Sequence, residues 1–224
     1  MTIRKLTFVT ILITTFVLVS CSKDDDSENG SKVDTHEYVD LGLPSGTLWA
    51  TCNIGASRPE EYGDYFAWGE TKGYNSGKNT FDLHTYKWRE SEIEKGYIKY
   101  CREDNKSILD PEDDAATINW GSNWRMPTEA QMLELYKYTT SQSTLLNGVK
   151  GEMLTSRING LHIFFPAAGF IEGETFYYKG SSICFWSCEI SHWDISKALT
   201  YGGKETISKS RERGINIRPV RAKR

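Results

Sequence analysis

The chain has 224 residues, a formal net charge of −3 at pH 7, 38% hydrophobic and 25% charged residues. This composition is typical of a globular protein and excludes a disordered tail, a collagen and a multi-span membrane protein. The near balance of acidic and basic residues gives no support for a nucleic-acid partner, because binding the phosphate backbone needs an excess of Lys and Arg.

The first twenty residues predict a signal peptide. Two basic residues, Arg4 and Lys5, precede an apolar run at 6–19 whose only polar residues are Thr. This is the layout of a secretory signal, and the run is shorter than the roughly 20 residues that a membrane-spanning helix needs. The run leads into Ser20 and Cys21, and a small residue directly before Cys resembles the lipobox of bacterial lipoproteins.

The lipobox resemblance implies cleavage before Cys21, a diacylglycerol on its sulfur and an acyl chain such as palmitate on its amine. Two or more acyl chains anchor a protein stably, so we expect a membrane partner through this lipid. The acidic run at 24–26 resembles the surface-export signal of Bacteroides-group lipoproteins, which implies an outward-facing position on the outer membrane; a solvated spacer is the alternative. We therefore divide the chain into a signal peptide at 1–20, a flexible acidic tether at 21–36 and a folded domain at 37–224.

Four further cysteines lie in the folded domain: Cys52, Cys101, Cys184 and Cys188. In an exported protein they permit disulfides in three connectivities, and buried free thiols are the alternative. The segment 182–188 reads as a strand, in which residues four apart lie about 13 Å apart. Since bridged Cα atoms lie within about 7 Å of each other, we expect no bond between Cys184 and Cys188.

The folded domain begins with a predicted hairpin and continues into long loops. Strands are expected at 37–41 and 47–52, with a Pro-Ser-Gly turn at 44–46 between them. The segment from 55 to 107 is rich in loops and scattered aromatic residues, with no strong periodicity.

Two short helices are predicted in the middle of the chain. Asp110 suits an N-cap, with Pro111 at the first helical position and acidic residues in the first turn. Thr128 and Gln131 form a capping box, and an apolar stripe follows them, which predicts a helix over 128–138.

The C-terminal half predicts strands. The segments 153–156 and 160–166 flank an Asn159-Gly160 turn, which is a strong hairpin signal. Further strands are expected at 184–189, 198–201 and 215–220. Helices set against antiparallel strands indicate the α+β class.

Several blocks of sequence, in order from residue 37 to the C-terminus, are similar to the Fibrobacter succinogenes major paralogous domain, a surface-lipoprotein family. The blocks are 38–50 (YVDLGLPSGTLWA), 53–56 (NIGA), 63–70 (GDYFAWGE), 109–116 (LDPEDDAA), 124–128 (WRMPT), 165–169 (FPAAG), 185–187 (FWS) and 217–220 (IRPV).

The resemblance implies a C-type-lectin-like fold, related to that of formylglycine-generating enzymes. It would have two short helices on antiparallel sheets, long loops, and paired terminal strands, so that 215–220 lies beside the N-terminal hairpin. The calcium motifs of C-type lectins, Glu-Pro-Asn and Trp-Asn-Asp, are absent, which argues against calcium-dependent sugar binding.

Three motifs were weighed as chemical sites. The acidic residues at 110–114 offer the carboxylate ligands that Ca²⁺ prefers, but they lack the spacing of a calcium-binding loop. Helix capping accounts for the same residues with fewer assumptions, so we expect no metal. Cys184 and Cys188 resemble the copper-binding pair of formylglycine-generating enzymes, at a different spacing and without the Arg- and Tyr-containing run that follows it there; structural thiols are the simpler interpretation. The four His residues show no zinc-binding pattern, and the sequence holds no Gly-x-Ser-x-Gly nucleophile elbow and no phosphate loop. Nothing in the sequence favours glycoside hydrolysis by paired carboxylates, whose partners need not be close in the chain, so we expect neither a cofactor nor an enzyme.

Aromatic side chains provide the remaining functional signal, because exposed Trp and Tyr stack on sugars and anchor protein interfaces. The candidate ligand contacts are Trp68, Trp88, Tyr178 and Trp193, whereas core positions are expected for Trp49, Trp124 and Trp186. The sequence therefore predicts a surface-exposed lipoprotein that is a non-catalytic binding or adhesion module for a glycan or a protein. The alternatives are a formylglycine-generating-type oxidase using Cys184 and Cys188, and a structural subunit of a surface assembly.

Overall fold

The computed structural model describes residues 35–90, 96–191, 197–201 and 205–223. The predicted signal peptide, the lipidation site Cys21, nearly all of the tether and the candidate Trp193 lie outside these residues. In the described part of the chain, no helix has the length and apolar character that crossing a membrane requires.

Within these ranges the chain forms eleven short strands and two α-helices, a sheet-rich α+β fold. The helices are α1 (Ala115–Trp120) and α2 (Glu129–Tyr138), and 3-10 turns lie at Tyr74–Ser76 and Pro111–Asp113. The strands are β1 (Tyr38–Val39), β2 (Thr47–Ala50), β3 (Thr139–Leu146), β4 (Val149–Ser156), β5 (His162–Pro166), β6 (Phe170–Glu172), β7 (Thr175–Tyr177), β8 (Trp186–Ile190), β9 (Lys197–Tyr201), β10 (Thr206–Ser210) and β11 (Val220–Ala222).

The two ends of the domain meet in one antiparallel sheet with the order β1-β2-β11. Trp49 on β2 lies opposite Val39 on one side and Val220 on the other. The predicted pairing of the terminal strands is therefore confirmed, although the last strand begins at Val220. The preceding residues instead make single bridges, from Ile215 to Phe66 and from 216 to 185.

Helix α1 begins later than the sequence predicts. The carboxylate of Asp114 accepts hydrogen bonds from the backbone N–H groups of Ala116 and Thr117, at 2.8 and 3.0 Å, and therefore caps the helix. Asp110 makes no side-chain capping bond, because its carboxylate is bound by Lys99 and Lys106. Asp110 and Pro111 therefore begin the 3-10 turn at Pro111–Asp113, and the α-helix begins one turn later, at Ala115.

Helix α2 begins at the predicted place. The hydroxyl of Thr128 accepts from the N–H of Gln131 at 3.2 Å, and the Gln131 side chain accepts from the N–H of Thr128 at 3.0 Å. This reciprocal pair is the capping box, and it satisfies two amides that the first helical turn leaves free. Met132 and Leu135 are buried in the core below the helix.

Strand β3 was missing from the sequence prediction. It runs antiparallel to β4 over eight residue pairs, and Leu146 lies opposite Val149 across the turn. The two turn residues, Asn147 and Gly148, have φ angles of 48° and 82°. Two consecutive positive φ angles in a two-residue hairpin define a type I′ turn, for which Asn-Gly is the favoured sequence.

The other predicted strands are present with shifted ends. A loop at 157–161 joins β4 to β5, so the Asn159-Gly160 hairpin is confirmed with a longer connection than two residues. The predicted strands at 184–189 and 198–201 correspond to β8 and β9, which form a sheet with β10, a strand that was not predicted. Helix α2 packs against this sheet.

Three Trp residues expected in the core, Trp49, Trp124 and Trp186, are fully buried. Arg218 is also fully buried and makes no ion pair with a described residue. It donates hydrogen bonds to Oδ1 of Asn53 at 2.8 Å and to the backbone carbonyls of Ala50, Thr51 and Phe164 at 3.1–3.2 Å.

The Arg218 guanidinium also stacks on an aromatic ring, with Cζ 4.3 Å from the centroid of Phe165. Burial lowers the pKa of Arg218, but the ordinary value lies so far above neutral that the group keeps its charge. Carbonyl oxygens and a ring face thus take the place of water around a buried cation.

Replacing Arg218 with Met should destabilise the domain strongly. The change leaves several buried oxygen acceptors without a donor, and each such loss costs about 1–3 kcal/mol. We expect the free energy of unfolding, measured by denaturant titration, to fall by at least about 3 kcal/mol. The control is Arg102→Met, at an exposed position, with a change of about 0.5 kcal/mol or less. Equal stability of the two variants would contradict the structural role of Arg218.

Candidate functional site

The predicted ligand contacts do not come together. Trp68 is 0% exposed and its indole N–H donates to the Ser187 carbonyl at 2.9 Å, so its prediction as a surface ligand contact was wrong. Trp88 is only half-buried, but its indole N–H is bound to the Gly69 carbonyl at 3.1 Å, and Lys87 lies 4.0 Å from its ring. Both rings therefore have structural partners.

Tyr178 is the one described candidate that projects into solvent, with 64% of its surface exposed. Its φ angle of 55° places it at a sharp turn. Its carbonyl accepts from the N–H groups of Ser181 and Ser182, each at 3.0 Å. Tyr178 thus holds the loop at 180–183 in place.

The two cysteines considered for redox chemistry are buried free thiols. The thiol of Cys184 donates to the Gly169 carbonyl at 3.0 Å. Burial raises the pKa of Cys184 and of Cys188 to about 12 each. Both sulfurs are therefore protonated at neutral pH, whereas nucleophilic and metal-binding cysteines act as thiolates.

The acidic cluster is neutralised by lysines. Nζ of Lys99 lies 2.8 Å from Asp110, 3.5 Å from Glu112 and 2.5 Å from Asp113, so an ammonium ion sits among the three carboxylates. Lys87 also binds Asp113, at 3.1 Å. Burial raises the pKa of Asp113, but hydrogen bonds from its partners, Lys99 first, lower it overall. The lysine ammonium groups thus occupy the place that a metal cation would take among these carboxylates.

A different concave surface lies along the β3–β4 hairpin. Two cavities, of about 600 and 390 Å³, both have Glu152 in their walls. We call them together the hairpin groove. The larger cavity is lined by residues that include Ser143, Leu145, Lys150, Ser181 and Ile183, and the smaller by Tyr136, Lys137, Thr139, Ser141, Arg157 and Tyr201. Both volumes fall in the range of small-ligand sites.

Strand alternation explains which side chains reach the groove. Leu154 on β4 points into the core, so Glu152 and Lys150, two and four residues earlier, lie on the same face. Their partners on β3 are Ser143, opposite Glu152, and Leu145, opposite Lys150. The face that carries Leu154 thus continues from the core into the groove, where it presents Glu152, Lys150, Ser143 and Leu145.

Glu152 is half-buried, and its carboxylate has no hydrogen-bond or ion-pair partner in the described part of the chain. Phe165 on the neighbouring strand lies directly opposite it in the sheet. A carboxylate in such a place has capacity to accept hydrogen bonds from a molecule in the groove.

Tyr201 carries an unsatisfied polar group in the wall of the smaller cavity. Only 2% of the residue is exposed, and its buried hydroxyl has no hydrogen-bond partner among the described residues. Its ring is fixed by stacking on Phe185, with centroids 4.7 Å apart. Burial, assisted by the charge of Glu152, raises the pKa of Tyr201, so the hydroxyl keeps its proton. Tyr201 lines the smaller cavity, and leaving its buried hydroxyl unpaired costs about 1–3 kcal/mol.

Sequence reasoning missed Glu152, Arg157 and Tyr201. One signal was available, because the Asn147-Gly148 turn fixes the β3–β4 register and hence the groove-facing residues. No local pattern places Tyr201 beside them.

Comparisons of this chain with family models, with curated proteins and with solved structures give no match. The resemblance stated from the sequence motifs therefore stays a prediction.

The lysine-filled acidic cluster predicts how the protein responds to calcium. Millimolar CaCl₂ should leave the thermal midpoint of the protein unchanged, because Lys99 already neutralises the carboxylates. Lys99→Met should lower the midpoint, since Asp113, 1% exposed, loses its nearest cation. The matched control is Lys106→Met, which removes a more exposed lysine and should cost less. Stabilisation of the unaltered protein by calcium would contradict this interpretation.

Proposed function

We propose that this protein is a bacterial lipoprotein of the outer membrane, facing outward, and that it is a non-catalytic binding module for a glycan or a protein. The observation that carries the binding role is the buried, unpaired hydroxyl of Tyr201 beside the half-buried carboxylate of Glu152, both in the walls of the smaller cavity of the groove. Concave sites with a few convergent polar groups are the usual place for ligands.

We further propose that the fold is C-type-lectin-like. The features that support it are the pairing of β11 with β2, the two short helices and the long stretches without strands at 51–90 and 96–110. Folds of this kind bind ligands through loops that a rigid sheet holds in place. In this chain the hairpin groove, formed by β3, β4 and the loop at 180–183, would be that surface.

The membrane attachment rests on the sequence around Cys21. An apolar run of signal-peptide length, followed by Ser-Cys and then by acidic residues, supports cleavage and lipidation at this position. The lipid would tether the domain through the polar segment that follows Cys21, leaving it free to reach ligands away from the membrane.

The oxidase alternative gains no support from the site. It would need thiolates at Cys184 and Cys188, and both thiols are buried with raised pKa values. Exposed cations or a helix N-terminus beside a sulfur are the usual means of stabilising a thiolate. Hydrogen bonding of Cys184 to a backbone carbonyl stabilises the protonated form instead.

The anchor is tested by expressing the full chain in a Gram-negative bacterium. We expect the protein in the membrane fraction, with a mass that corresponds to cleavage before Cys21 plus the acyl groups. Cys21→Ser should abolish lipidation and release the protein from the membrane. An unmodified Cys21 in the mature protein, determined by mass spectrometry, would refute the anchor.

The binding role is tested with the full-length lipoprotein in mild detergent. Arrays of glycans and of extracellular proteins should yield at least one ligand whose affinity changes when Tyr201→Phe is introduced, because that variant removes only the groove hydroxyl. An affinity that Tyr201→Phe leaves unchanged would show that the ligand binds outside the groove. No binding at all, together with co-purification of a stable complex, would favour the structural-subunit alternative.

A further inference from the structure

We propose that the hairpin groove binds an acidic saccharide, with Glu152 and Tyr201 engaging sugar hydroxyls and with Lys137 and Arg157, which line the same smaller cavity, engaging the acid group. The proposal rests on the binding function proposed above and specifies its ligand class.

The first argument is the charge of the groove. Its lining carries three cations, Lys137, Lys150 and Arg157, and one anion, Glu152. The excess of two positive charges contrasts with the net charge of −3 of the whole chain. Cationic ligands are therefore disfavoured in this groove, and ligands with a carboxylate or sulfate group are favoured.

Arg157 is the best placed of the three cations. Its Nε donates to the backbone carbonyl of Thr139 at 2.9 Å, which fixes the guanidinium at the wall of the smaller cavity. Its Nη groups have no partner in the part of the chain that the structure describes. A planar guanidinium held in this way is suited to a two-point contact with a carboxylate.

The second argument is the hydrogen-bonding capacity of Glu152 and Tyr201, neither of which has a side-chain hydrogen-bond partner in the described part of the chain. The Glu152 carboxylate can only accept hydrogen bonds, whereas the Tyr201 hydroxyl can both donate and accept. Adjacent hydroxyls of a sugar ring can donate to the first and accept from the second. A ligand that offered only carboxylates would place like charges beside Glu152.

The third argument is the surface between the polar groups. Ser141 and Ser143 project from β3 on the face that also carries Glu152, and the ring of Tyr136 lines the same cavity as Ser141. Hydroxyls beside an aromatic ring match a sugar, whose edge is polar and whose C–H face packs on rings. An acidic peptide offers fewer hydroxyls, and we therefore infer a saccharide.

The test is an array of uronic-acid, sialic-acid and sulfated glycans, each beside a neutral counterpart of the same linkage, probed with the full-length lipoprotein. Poly-glutamate is included as the peptide probe. We expect acidic glycans to bind, with affinity that falls as the salt concentration rises. The best pair is then titrated by calorimetry against the variants.

Arg157→Gln should lower the affinity for the acidic glycan about tenfold, because it removes the contact with the acid group. The affinity for the neutral counterpart should stay the same, so the ratio of the two affinities should fall. Tyr201→Phe and Glu152→Gln should weaken both members of the pair, each by about tenfold. Tyr201→Phe keeps the stacked ring and removes an unpaired buried hydroxyl, so the thermal midpoint should not fall. Arg102→Gln, outside the groove, is the charge-matched control and should bind like the unaltered protein.

The possible failures are distinguishable. Binding of neutral glycans or proteins without acidic glycans would overturn the acidic-saccharide proposal and leave the binding function standing. Acidic binding that all three groove variants leave unchanged would also overturn it, since the site would lie elsewhere. Binding of poly-glutamate in the groove at equal affinity would replace the saccharide with an acidic peptide. If no glycan and no protein bound, both the acidic-saccharide proposal and the binding function would be refuted.

Discussion

The guanidinium of Arg218 joins segments that lie far apart in the sequence. Its donors hold the end of β2 through Ala50 and Thr51, and strand β5 through Phe164. Since Arg218 also lies two residues before β11, it fixes the last strand beside the first hairpin. A buried cation surrounded by carbonyl oxygens tolerates little displacement, because any lost contact leaves charge without compensation.

That constraint extends to the groove. Strand β5 is held by Arg218 and pairs with β4 over five residues, and β4 pairs with β3 over eight. The inner face of the hairpin, with Glu152 at its centre, is therefore continuous with the core. Tyr201 is fixed from the other side by its stack on Phe185. The groove thus lies between two rigid elements and beside the loop at 180–183, which favours a preformed binding surface.

Local signals in the sequence predicted the elements that local interactions determine. The Thr128 and Gln131 pair located the start of α2, because both partners of the capping box lie in one turn of chain. The start of α1 could not be decided in that way. Asp110 and Asp114 both suit a helix cap, and the choice depends on Lys99 and Lys106, which bind Asp110 and leave the amides to Asp114.

The groove also combines residues that local sequence predicts with residues that only tertiary packing brings together. The residues of β3 and β4 follow from one Asn-Gly turn and strand alternation, so their shared face was within reach of the sequence. Tyr201 comes from a strand almost fifty residues further along, and only tertiary packing brings it to Glu152. The error at Trp68 has the same origin, because a residue in a loop-rich segment is fully buried where that segment covers the core.

The state of the cysteines bears on how such a domain can be made. Cys52, Cys101, Cys184 and Cys188 are all free thiols, so the native state contains no covalent cross-link among them. Its cohesion comes from packing and hydrogen bonds, and no oxidant is consumed on the way to it. The domain can thus reach its native state without an enzyme that forms disulfides.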